Sequence, residues 1–123
     1  MIYNQFMKRE EVISYIRDKY KVNPEYLWAK YPEYAVFRRS DNDKWFSIMN
    51  IKRSILGLEG DEMIEIIDVK CDPESVYFFC DIYSFYSAYH INKQHWITIA
   101  LDSSLTDQQI QEFIDISYEL TSK

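Results

Sequence analysis

A chain of 123 residues and 14.9 kDa is one domain's worth of sequence, long enough to bury about two thirds of its unfolded surface. Its net charge of −6 counts against a uniformly basic nucleic-acid coat protein, and its 2 glycines count against collagen-like repeats and glycine-rich phosphate loops. Aromatic residues reach 17%, and the charge is uneven: residues 1–56 hold 11 Lys/Arg against 7 Asp/Glu, residues 57–123 hold 3 against 13. Such asymmetry suits a molecule with one basic and one acidic face.

The first periodic segment is residues 8–20. Val12, Ile13, Ile16 and Tyr20 fall on one helical face and the charged residues on the other. Pro24 and Pro32 then make residues 21–33 a connector. Its aromatics Tyr26, Trp28 and Tyr31, with Tyr34 just beyond, are expected to pack down on the domain. Residues 34–39 have strand composition, and Ser40-Asp41-Asn42-Asp43 is a turn cluster. Residues 44–51 form the return strand of a hairpin. Simple alternation places Trp45, Ser47, Met49 and Ile51 on one face and Lys44, Phe46, Ile48 and Asn50 on the other. Both faces carry apolar groups, so a central strand partly covered on both sides is expected.

Residues 54–61 hold both glycines and connect to a third strand over 62–70. Asp72-Pro73-Glu74 is a helix start: Asp72 accepts from free amides, Pro73 lacks only an N–H that would have no partner, and Glu74 complements the positive helix end. That helix runs to about residue 81. Residues 82–94 read as a turn-rich aromatic connection, and 96–101 as a fourth strand. Thr106 with Gln109 makes a capping box for a last helix over 107–120, which buries Ile110, Phe113, Ile114 and either Ser117 or Tyr118. The order α-β-β-β-α-β-α predicts an α+β two-layer sandwich, with a mostly antiparallel sheet and helices on one face, as a single domain over 1–123.

No run of about 18 apolar residues exists, and the first 25 residues lack a secretory h-region, so a cytoplasmic protein with no membrane contact is expected. Cys71 and Cys80 make neither a disulfide framework nor a zinc site. His90 and His95 lack a third ligand, and no nucleophile–base frame surrounds them. The residues therefore predict no enzyme, no metal and no cofactor. The basic residues carry more. Arg38, Arg39 and Lys44 belong to the hairpin end, Lys52 and Arg53 to its other end, Lys70 ends the third strand and Lys93 precedes the fourth. Several cations on one surface bind phosphate, and aromatics such as Trp45 and Tyr34 between them stack on bases. The alternative is an adaptor for a protein partner or small ligand, using the acidic half or an aromatic pocket around Tyr89, His90 and Trp96. A monomer or weak dimer is expected in either case.

The segments Trp28-Ala29-Lys30-Tyr31-Pro32-Glu33-Tyr34-Ala35-Val36-Phe37-Arg38, Lys44-Trp45-Phe46-Ser47-Ile48-Met49 and Val69-Lys70-Cys71-Asp72-Pro73-Glu74 resemble motifs of the MmcQ/YjbR family. So do Ala88-Tyr89-His90-Ile91-Asn92-Lys93, running on through His95-Trp96-Ile97-Thr98-Ile99, and Ser117-Tyr118-Glu119-Leu120-Thr121. Ser87 stands where that family often has proline. The resemblance implies a sandwich similar to the CyaY-like fold and DNA binding through a double-wing surface. It brings no catalytic residues. The positions matching the family's polar motif residues are Lys44, Lys70, Asn92, Lys93 and Trp96.

Overall fold

Helix α1 (Arg9–Tyr20) forms where the apolar spacing places it, with Val12 and Ile16 fully buried and Ile13 and Tyr20 packed at the margin. The computed structural model describes residues 9–52, 64–79, 85–87, 95–101 and 105–122, with the backbone alone for 51–52, 64, 77–79 and 85–87. After α1 come β1 (Ala35–Arg38), β2 (Trp45–Lys52), β3 (Ile64–Lys70), α2 (Pro73–Phe79), β4 (Phe85–Ser87), β5 (Trp96–Ala100) and α3 (Asp107–Leu120). The strands pair antiparallel in the order β1-β2-β3-β5-β4. Four strands were expected, and β4 is the addition: it lies in the segment read as a connection and pairs its three residues with β5.

One face of the sheet packs against the helices. Ala35, Phe37, Met49, Ile67, Val69, Ile97 and Ile99 join Val12 and Ile16 of α1 and Ile110 and Ile114 of α3 in one core. β2 is covered on both sides, as its composition predicts, since Ile48 on the far face is also buried. Its alternation, however, is broken. Phe37 pairs with Ser47 while Arg38 pairs with Trp45, so Phe46 is the extra residue of a bulge. Phe46 therefore turns to the helix side with Met49, and Trp45 goes to the far face, the reverse of the simple pattern. The hairpin loop lies just beyond this shift. Asp43 takes a left-handed conformation (φ 62°), which Asp tolerates better than most residues, and Arg39 N–H still reaches Lys44 C=O at 2.8 Å.

Both predicted helix caps form. The Asp72 carboxylate accepts the Ser75 N–H at 3.0 Å, and that bond holds its pKa below the usual carboxylate value. Thr106 Oγ1 accepts Gln109 N–H at 3.2 Å while Gln109 Oε1 accepts Thr106 N–H at 2.9 Å. At the other end of α3, Ser117 rather than Tyr118 is the fully buried residue. Its hydroxyl bridges two strands: it accepts Lys70 N–H at 2.8 Å and donates to Phe46 C=O, the carbonyl of the bulged residue. Replacing Ser117 by alanine strands both buried backbone groups. The unfolding free energy in urea is expected to fall by about 1–3 kcal/mol, and an unchanged midpoint would contradict the bridge. No helix among the described residues is long and apolar enough to cross a membrane.

Candidate nucleic-acid interface

The sheet pleat decides which basic residues share a surface. Phe37, Val69 and Ile97 point to the helices, so their successors or predecessors Arg38, Lys70 and Trp96 point away from them. Arg38 pairs with Trp45 and Lys70 pairs with Trp96. Those four residues, all half-buried, form one row on the far face of the sheet, alternating cation and ring. The row ends at the hairpin side, where Lys44 precedes Trp45 and is exposed. Asp68 lies on the same face beside Lys70, and Thr98 Oγ1 donates to its carboxylate.

Arg39 is not part of this surface. It is only 7% exposed and turns to the helix side. Its Nε and Nη2 grip both oxygens of Asp41 at 2.9 and 2.8 Å, Nη1 donates to Tyr118 C=O, and the guanidinium lies 3.8 Å from the Tyr118 ring centre. α3 has no basic residue in its last turn, so Arg39 supplies from the hairpin the positive charge and the donor that a helix C-terminus lacks. Asn42 Nδ2 does the same for Thr121 C=O at 2.8 Å. The Arg39 hydrogen bond in turn holds the Asp41 carboxyl below its ordinary pKa. Arg38 is partly engaged: its Nε meets Glu25 Oε2 at 2.9 Å on the wall of an open groove of about 400 Å³ that also includes Lys21 and Asp43.

Of the other sequence candidates, Lys52 lies at the opposite end of β2, paired with Ile64, away from the row. Arg53, Tyr89, His90, Asn92 and Lys93 lie outside the described residues. The connector aromatics do not pack down as expected. Tyr26, Trp28 and Tyr31 are 55%, 38% and 56% exposed. Trp28 meets Trp45 edge-on at 6.0 Å and Tyr34 at 5.3 Å, so the connector extends the row's aromatic surface past the sheet edge.

A second polar cluster was missed. Asp115 on α3 accepts Tyr15 Oη at 2.8 Å, Tyr20 Oη at 2.6 Å and Lys19 Nζ at 2.8 Å, all from α1. Burial works to raise the Asp115 pKa, but these three donors together hold it below the usual value. Burial first, then the bond to Asp115, raises Tyr15 and Tyr20 above the ordinary phenol value, so neither is an ionised nucleophile at neutral pH. The cluster ties two helices together. Among the described residues no group of three or more His, Cys, Asp or Glu converges as a metal site.

The comparisons agree with this architecture. The YjbR family model matches residues 17–120. An uncharacterised Bacillus subtilis protein, YyaQ, is 36% identical over 116 residues, covering 94% of this chain and 98% of its own. A crystal structure of a Pseudomonas syringae protein superposes with a TM-score of 0.90 at 40% identity, covering 94% of this chain and 99% of that one. A Deinococcus radiodurans protein shares the fold at a TM-score of 0.74 and 19% identity, covering 100% of this chain and 83% of that one. With sequence motifs, strand order and full-length relatives in agreement, the chain belongs to the YjbR family.

Proposed function

We propose that this protein is a non-enzymatic DNA-binding module whose phosphate contacts come from the hairpin end of the sheet. The observation that supports the reading is the row Arg38, Trp45, Lys70 and Trp96 on one face, with Lys44 beside it. Phosphates carry the affinity of such a surface and the rings contact sugar or base. Arg39 takes no part, because its donors are occupied by the Asp41 carboxylate and by Tyr118 C=O of α3. Three cations release few counterions, so binding is modest. A plot of log K against log salt has a slope of about −2 to −3. Anisotropy titration of a labelled oligonucleotide from about 50 mM salt upward tests this. Lys44→Gln and Lys70→Gln each flatten the slope by about 1, whereas Lys52→Gln leaves it unchanged. A protein that leaves DNA free at micromolar concentration and low salt has another role.

A further inference from the structure

The exposed rings of the connector are the feature that phosphate contacts do not explain. Tyr31, Tyr34, Trp28 and Trp45 form a continuous ledge, each ring touching the next edge-on at 5.7, 5.3 and 6.0 Å. Tyr31 and Trp28 keep much of their surface in water. A contiguous exposed patch of rings marks an interaction surface, whereas single exposed rings do not. Here the backbone is fixed: Tyr31 N–H donates to Trp28 C=O and Tyr34 N–H to Tyr31 C=O, both at 3.1 Å, and Pro32 restricts the turn between them. A two-way bridge from Glu25 to Val36, at 2.8 and 2.9 Å, anchors the start of the segment to β1. The rings are thus held in place before any partner arrives, which lowers the ordering cost of binding.

Charge indicates the partner. Lys30 sits between Trp28 and Tyr31 in the chain, Lys44 precedes Trp45, and Arg38 lies across the strand from Trp45. Among the described residues neither Lys30 nor Lys44 is in an ion pair, Glu25 is already matched by Arg38, and Glu33 is the one acid within the ring-bearing turn of residues 31–34. Exposed rings flanked in the chain by the unpaired cations Lys30 and Lys44 suit a polymer with anionic backbone and flat, accessible bases. Bases in a duplex are stacked on each other and present no face to a ring, whereas single strands do. We infer that the Trp28–Tyr31–Tyr34–Trp45 ledge is a stacking platform for single-stranded nucleic acid, an inference that rests on the DNA-binding reading and names the strand state it selects.

Anisotropy of a labelled oligonucleotide of about 12 nucleotides, single-stranded and as a duplex, is compared at about 50 mM salt for the wild type, Trp28→Ala and Tyr31→Ala. Circular dichroism and urea unfolding show that each variant is folded, and Tyr31→Ala, at the more exposed ring, serves if Trp28→Ala is not. The single strand binds at least about tenfold tighter than the duplex, and loss of one ring weakens it by about tenfold with the duplex unchanged. Quenching of tryptophan fluorescence accompanies single-strand binding. Equal or tighter duplex binding, or single-strand binding indifferent to both substitutions, overturns the ledge and leaves the phosphate surface standing. No binding of either oligonucleotide overturns both the ledge and the DNA-binding reading.

Discussion

Phe46→Ala is expected to lower the unfolding free energy by about 3–5 kcal/mol, the largest single effect on this fold. The ring is fully buried and meets Phe37 at 6.4 Å, Tyr20 at 5.8 Å and Tyr118 at 4.9 Å between centroids. It joins β1, α1 and α3 at one point, so truncation opens a cavity that none of the three can close alone. The Tyr20–Tyr118 stack at 3.9 Å also loses its edge partner. Urea unfolding followed by far-ultraviolet circular dichroism reads the change as a lower midpoint at constant slope. A loss below about 1 kcal/mol would place Phe46 on the far face of the sheet, where simple alternation puts it, and would remove the bulge.

That residue marks where the sequence stops being legible. Helices α1 and α3 and both caps follow from signals within a few residues of each other, and these form as read. The hairpin is legible for the same reason. The bulge is not, because one extra residue, Phe46, shifts the register and period-2 counting assumes none. β4 is three residues long and its pairing with β5 carries no local pattern. In the site, residue types pointed to phosphate from Arg38, Lys44 and Lys70 and to stacking by Trp45, but the strand pairing that puts Arg38, Trp45, Lys70 and Trp96 on one face joins residues far apart in the chain and is not readable from them. The fate of Arg39 was hidden, since its partner Tyr118 lies 79 residues away. Asp115 likewise gathers donors from 95 to 100 residues away, with nothing in either helix to announce the meeting. Ring exposure in the connector was misread because a segment with two prolines and many aromatics looks like packed core until its turns are seen.

Removing the acceptor at Asp115 gives the second large effect. Asp115→Ala leaves the partly buried hydroxyls of Tyr15 and Tyr20 and the Lys19 ammonium without a common partner, and is expected to cost about 2 kcal/mol. Asp115→Asn retains an oxygen acceptor and costs less. The pH dependence separates charge from shape. The folded carboxyl has a pKa below its unfolded value, so its contribution is complete above about pH 4 and is lost as pH falls through the folded value. Tyr15, Tyr20 and Lys19 are raised, so their share is complete below about pH 10 and disappears as pH rises through their folded values. Urea midpoints of the wild type should therefore fall at both extremes. In Asp115→Asn the acid limb becomes shallower but persists, because Asp41 and Asp72 also sit below their ordinary pKa. The alkaline limb shrinks as well, since part of what raises the two phenols and the ammonium is the carboxylate itself. An acid limb unchanged by Asp115→Asn would mean that Asp115 titrates alike in the folded and unfolded chains, and that its charge adds nothing to the tie between α1 and α3.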